Sequence, residues 1–200
     1  MPARTPPTRA HPRPELVFIL YAILAGLVVG YLAGGRLEGL ALLDLHPAAI
    51  AIALVGLLVQ LAIFGPLADR VGPAGPLLYT SSTVAGLVAV LASVQVPGLA
   101  LVALGASSNL AAVVANGGIM PADPGALTLA GLETDAGFSN SAVVVAPNLR
   151  PLTDIFALPA ALPFANVFSV GDVLVAAGIA VAIVAGMRRT GAVRPRNSYD

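Results

Sequence analysis

Apolar positions in this chain come in long unbroken runs rather than at the period of a half-buried strand or a surface helix. Leu16 to Ala33 is the first run, closed by Gly34, Gly35 and Arg36, and Ala48 to Phe64 is the second, closed by Gly65 and Pro66. Leu77 to Val94, Leu99 to Ala115 and Val170 to Met187 follow. A hydrocarbon core takes about 20 helical residues at about 1.5 Å each, so each run is of the length that spans one. The pattern predicts an all-α membrane protein, a bundle of about five transmembrane helices over 16–33, 48–64, 77–94, 99–115 and 170–187. The many Val and Ile residues do not redirect these runs to strands, because a lone span must satisfy its backbone polar groups as a helix. The first run also has the place of a signal peptide, but its apolar core exceeds the usual length of about 7 to 15 residues and no small-x-small cleavage site follows. It is therefore read as a retained helix.

The connections sharpen this organisation. Only four residues, ending in Pro97 and Gly98, separate the third run from the fourth, which predicts an antiparallel hairpin. The first run carries Ala22, Gly26, Gly30 and Gly34 at four-residue spacing, and the last carries Gly178, Ala182 and Gly186. Such small-residue faces let another backbone approach closely, either within the chain or across a seam to a second copy. Residues 1–15, rich in Pro and Arg, and the basic stretch 190–200 have no apolar periodicity and are expected to be disordered tails flanking a membrane domain at 16–189.

Composition agrees with the bilayer as solvent. The chain is 58% hydrophobic and 10% charged, more apolar surface than a soluble domain of 200 residues can bury. Its net charge of zero offers no field for nucleic acid. Cys is absent, which removes disulfides, thiolate nucleophiles and thiolate-bound metals, and His11 and His46 are too few for a His-ligated metal or haem centre. No cofactor is expected. All the basic residues are arginine; five fall on each side of a five-span topology, Arg36, Arg188, Arg189, Arg194 and Arg196 sharing one side. Because Arg188 and Arg189 abut a helix end, where basic residues orient most strongly, the C-terminus is expected in the cytoplasm.

One stretch is not a span. Residues 116–169 form a long, turn-rich segment with Asp123, Glu133, Asp135, Asp154 and Arg150, and its apolar patches at 141–147 and 154–164 are interrupted by proline. It is expected to lie on or dip into the membrane interface. At its entry Asn109 and Asn116 share a helix face, and Gly117 and Gly118 end that helix. These residues either cap the helix or offer Gly amides as an anion-cradling nest. At its exit Ser169 and Asp172 have the S-x-x-[DE] form of a capping box, which accounts for a carboxylate at the mouth of an apolar run without any ligand. Asn166 and Asp172 nevertheless fall near the membrane depth of Asn116. Gln60, a lone amide within the second run, is expected to find an interhelical partner.

The strings "SNLAAVVANGGIMP", "LTDIFALPAALPFANVFSVGDVLVAAG" and "LAGGRLEGL" resemble the hallmark segments of an uncharacterised bacterial integral-membrane family, a domain of unknown function, over roughly Leu16 to Arg189. The pairing of A-N-G-G-x-M-P with N-x-F-S-x-G-D-x-L carries the resemblance, which implies a small multi-pass protein of the bacterial inner (plasma) membrane and no particular activity. Three classes of function stay open. In one, Asn109, Asn116, Gly117, Gly118, Arg150, Asn166 and Asp172 bind or translocate a small polar ligand or a lipid headgroup. In another, the chain is an accessory subunit that packs on itself or on other membrane proteins through the faces of Gly26, Gly30, Gly34, Gly178 and Gly186. The third, an intramembrane enzyme using Asp154 or Asp172, lacks a neighbouring His, Cys or Ser-based nucleophile set.

Overall fold

The structure is a computed structural model, described over residues 14–132, 141–163 and 165–189. The two tails expected to be disordered, as well as Glu133 and Asp135, lie outside the described residues apart from Pro14 and Glu15 at the first helix start. Most of the described chain is helical. Helices occupy all the predicted apolar runs, with ends within three residues of those expected: α1 (Pro14–Leu32), α2 (Pro47–Ile63), α3 (Gly75–Leu91), α4 (Leu99–Ala115) and α6 (Val170–Met187). Proline sets several starts, at Pro14, Pro47 and Pro76, where its missing N–H costs nothing. Two helical stretches, Gly72–Leu91 and Val170–Met187, are long and apolar enough to cross a membrane, and Ile19–Leu32, Pro47–Ile63 and Leu99–Ala115 are shorter apolar stretches.

The expectation of a purely helical chain needs one correction. The described residues of 116–169 form not an open loop but a small folded cap. It holds the short helix α5 (Pro124–Ala130), a parallel pair of β1 (Met120–Pro121) with β2 (Ser141–Ala142), and an antiparallel pair of β3 (Phe156–Leu158) with β4 (Asn166–Phe168). The β3–β4 register sets Phe156 opposite Phe168, with ring centroids 5.5 Å apart. Ala122, Ala126, Leu127, Ala130 and Val167 give the cap its own core. Proline prevents these apolar tripeptides from growing into helices, and pairing them satisfies their backbone groups instead.

The helices stand in the order α1, α6, α4, α3, α2, so the last helix is inserted between the first and the fourth. α3 and α4 form the expected hairpin. Close approach to α6 runs through glycine on both its sides. A methyl group at Gly26 would lie 3.0 Å from Ile183 Cβ and 3.1 Å from Ala180 Cα, and one at Gly30 would meet the flexible Met187 side chain. On the other side Gly98 faces Gly178 and Gly105 faces Gly171, two backbone-to-backbone contacts one heptad apart along both helices. Gly186 packs on Leu40 of the 3-10 turn Leu37–Leu42 and on Leu43 just after it, and this neighbourhood is tied to the end of α6 by Arg36 N–H donating to the Met187 carbonyl and Arg189 donating to the Leu42 carbonyl at 2.6 Å. Gly34 stands apart from the seam: nothing would meet a side chain there, and it is glycine for its left-handed turn at φ 76°. The small-residue faces are therefore filled from within the chain.

Gly26→Leu is expected to lower the folded yield in detergent severalfold, because its neighbours are the backbone and Cβ atoms of α6, whereas Val28→Leu, on a half-exposed position, should leave it unchanged. Equal yields for the two variants would mean that the α1–α6 seam does not hold the bundle together.

Candidate functional site: a polar chamber under the cap

Up-and-down packing brings the start of α1, the end of α2, the start of α3, the end of α4 and the start of α6 to one end of the bundle. A cavity of about 170 Å³ lies there. Gln60 of α2, Thr83 of α3, Asn109 of α4 and Asp172 of α6 supply its polar wall, and Asp154 and Asn166 reach it from the cap. Tyr79 and Met120 complete the side toward α3 and β1, with aliphatic residues of α1, α4 and α6 opposite.

The centre of the wall is a network joining α4 to α6. Asn109 donates through Nδ2 to Asp172 Oδ1 at 2.7 Å and accepts at Oδ1 from the Ser169 hydroxyl at 2.9 Å. Asp172 Oδ2 accepts from the Ser169 backbone N–H, and the Ser169 Oγ accepts in turn from the Asp172 N–H, which completes the predicted capping box. Ser169 Oγ also lies 2.8 Å from Asp172 Oδ2; with one proton it serves either Asn109 or Asp172 at a time. Ser169 is wholly buried. Gly171 makes this geometry available, since a methyl group there would lie 2.6 Å from Asn109 Cγ. On the facing pair of helices Gln60 donates to Ser82 Oγ and Thr83 Oγ1, the interhelical partners its position called for. Its carbonyl oxygen takes no hydrogen bond among the described residues.

Asn166 differs from the other wall residues. It is 3% exposed and its backbone belongs to β4, yet its side-chain amide makes no hydrogen bond among the described residues. Asp154, 5% exposed, is fixed beside it by the cap backbone, its N–H donating to the Pro121 carbonyl and its carbonyl accepting from Asp123 N–H.

The remaining sequence candidates sit elsewhere. Asn116 closes the end of α4: it donates to the carbonyls of Ala112 and Asn148 and accepts from Asn148 N–H, while Asn148 donates back to the Ala115 carbonyl. Gly117 and Gly118 are left-handed, at φ 74° and 88°, and their N–H groups donate to the carbonyls of Val114 and Val113. This is a Schellman cap, and it leaves neither amide for an anion nest. Arg150 pairs with Asp123 at 3.1 Å on the outer surface of the cap, beside a cleft walled by Val143, Val145 and Pro147. So Asn109, Asn166 and Asp172 share the chamber, whereas Asn116, Gly117, Gly118 and Arg150 do not reach it. Thr83 lines the wall and Ser169 stands behind it, against Asn109 and Asp172; neither stands out in the sequence as a site residue, since a hydroxyl in a membrane helix or an N-cap needs no further role to explain it.

The model of a family of unknown function, DUF5317, matches residues 41–184, most of the chain. The chain belongs to the DUF5317 family. The matched span takes in α2, α3, α4, the whole cap and most of α6, and with them every polar residue of the chamber wall. In this DUF5317 protein α1 precedes the matched span, although α1 packs along α6 as closely as α4 does. No curated protein and no solved structure matches the chain.

On the surface of the cap, the Arg150 hydrogen bond holds the Asp123 carboxyl below the usual carboxylate range, helped by the N–H groups of Ala126 and Gly125 that Asp123 caps at the start of α5. A folded pKa below the unfolded one means that the charged form carries stability which is complete above the unfolded value, near 3.8, and is lost as pH falls through the folded value. Arg150→Gln is therefore expected to lower the melting temperature at pH 7, with the gap to the wild type narrowing as pH falls below about 4. Melting curves of both proteins across pH 3 to 7 check this; a gap that stays constant would remove the ion pair from the account.

Proposed function

We propose that this DUF5317 protein is a multi-pass membrane protein of five spans whose chamber binds a small polar ligand. Support for the membrane comes from the outward faces. Leu20, Leu24, Val28 and Leu32 on α1, Leu54 and Leu58 on α2, Leu77, Val84, Val88 and Leu91 on α3, and Leu104 on α4 are large, apolar and exposed along whole helices. A water-facing surface does not carry such continuous stripes, and lipid requires them. Helices of 17 residues, such as α2 and α4, reach about 26 Å, close to the about 30 Å of a hydrocarbon core. With Arg188 and Arg189 in the cytoplasm, the cap and chamber face the outer side of the inner membrane. A reporter fused after Tyr199 should be active only as a cytoplasmic fusion; a periplasm-only signal would invert the topology.

One observation carries the binding reading: the Asn166 side chain makes no hydrogen bond among the described residues and lines the chamber, as do Asn109 and Asp172 of the ordered network with Ser169. Stability alone would favour an apolar residue there, so the amide is kept for a ligand. The rival reading, an accessory subunit docking through small-residue faces, draws less support because Gly26, Gly30, Gly178 and Gly186 are met by the chain's own residues. Asn166→Leu should raise the melting temperature of ligand-free protein, or leave it unchanged, while abolishing a small bound species seen by native mass spectrometry of the wild type. A variant that melts several degrees lower with its bound species retained would make Asn166 a structural residue and end this reading.

A further inference from the structure

The hydrogen-bonding capacity left open around the chamber narrows its ligand, an inference that rests on the binding reading above. The charged groups of the wall are already met. Both oxygens of Asp172 accept from Asn109 and Ser169, and Asp154 and Tyr79 each have an interaction of their own. A cation would have to displace protein donors to reach the Asp172 carboxylate, and an anion would find two carboxylates in the wall and neither Arg nor His. No group of three acidic, His or Cys side chains converges on a metal position among the described residues. The space suits a ligand without net charge.

Two neutral amides hold what stays open. The Ser82 and Thr83 hydroxyls each donate to the Tyr79 carbonyl, at 2.8 and 2.9 Å. A hydroxyl has one proton, so toward Gln60 both can only accept, and the Gln60 amide must turn its Nε2 to them. Its carbonyl oxygen is thereby left as an acceptor that no described residue meets. Asn166 adds a whole carboxamide, an acceptor oxygen and an NH2 donor, buried and without a hydrogen bond among the described residues. Both residues line the chamber, so together they offer two acceptors and one donor group. The complement is a group that carries two N–H bonds and a carbonyl on one carbon, which is a primary carboxamide. Ile19, Ala106, Val167, Val175 and Ala176 supply an aliphatic wall for a short alkyl chain. An apolar cavity of about 150 Å³ takes benzene, so 170 Å³ admits about six non-hydrogen atoms.

We propose that the chamber binds a small neutral carboxamide: its N–H groups donate to the carbonyl oxygens of Asn166 and Gln60, its own carbonyl accepts from Asn166 Nδ2, and its alkyl part lies on the aliphatic wall. The Asn109, Ser169 and Asp172 network stays as it is, so binding breaks none of its hydrogen bonds.

The test uses the full chain in detergent, with melting temperature and isothermal titration as readouts. Propanamide is compared with propanoate, propanamidinium and butan-2-one, which keep its shape but are an anion, a cation and an acceptor without donors. The proposal expects stabilisation by millimolar propanamide and affinity at least tenfold weaker for each of the other three. Asn166→Leu and Gln60→Met should each lose at least tenfold in propanamide affinity, and Val28→Leu, outside the chamber, should lose none. Should Gln60→Met fail to fold without its bonds to Ser82 and Thr83, the four-probe comparison on the wild type still decides. Equal or tighter binding of propanoate, propanamidinium or butan-2-one would overturn the carboxamide assignment while leaving the chamber as a binding site. So would silence of all four probes while the wild type keeps a bound species that Asn166→Leu loses. Silence of all four together with no bound species, or with an Asn166→Leu variant that behaves as a structural lesion, would overturn both.

Discussion

The contact between α4 and α6 sets the rest of the molecule. At Gly98 with Gly178 and at Gly105 with Gly171 the two backbones touch, and no side chain larger than hydrogen fits at these points. The approach matters because Asn is short. Only when the helix axes are this close does the Asn109 amide reach both Asp172 and Ser169, which lie in the first turn of the opposite helix. The capping box then does two things: it satisfies the start of α6 and points one face of the carboxylate toward α4. In an apolar surrounding each of these hydrogen bonds is stronger than in water and more costly to break, so the network is held in one arrangement.

With α6 seated on α4 at this depth, its far side receives α1 through Gly26 and Gly30, and its end receives the turn after α1 through Gly186. A helix last in sequence thereby becomes central in space. The α2–α3 pair is joined to it through α4, and the polar groups of that pair, Gln60 and Thr83, come to the same end of the bundle as Asn109 and Asp172. Neither helix pair alone encloses anything. The chamber exists because the two polar walls face each other and the cap, through Met120, Asp154, Asn166 and Val167, lies across the opening.

Accounting for hydrogen bonds separates residues of similar type in this region. Asn116, Asn109 and Asn166 are all asparagines near one end of the bundle, yet their amides have different fates. Asn116 is consumed by the end of α4 and by Asn148, Asn109 by Asp172 and Ser169, and Asn166 by nothing among the described residues. The Gly117 and Gly118 amides are likewise taken by the helix they terminate. What is left of the hydrogen-bonding capacity around this partly apolar space, among the described residues, is the side chain of Asn166 and the carbonyl oxygen of Gln60.

The placement and lengths of the long helices, the α3–α4 hairpin, the capping box at Ser169 and Asp172, and the end of α4 at Gly117 and Gly118 were all legible in the sequence, because each follows from local rules: run length, turn length and cap chemistry acting within a few residues. The cap was legible only as a stretch that was not a span. Its strands are two or three residues long, too short for periodicity, and exist because residues distant in sequence pair their backbones, as Phe156 does with Phe168. The grouping of site residues was decided by tertiary structure alone. Asn116 and Arg150 looked as eligible as Asn109 and Asp172 when judged by residue type and approximate depth, but which amide or carboxylate faces a cavity depends on the angular position of each helix and on the order in which helices pack. That order places α6 between α1 and α4. It arises from complementary glycine contacts between helices far apart in the chain, which the spacing of glycines in one helix shows only as an unassigned face.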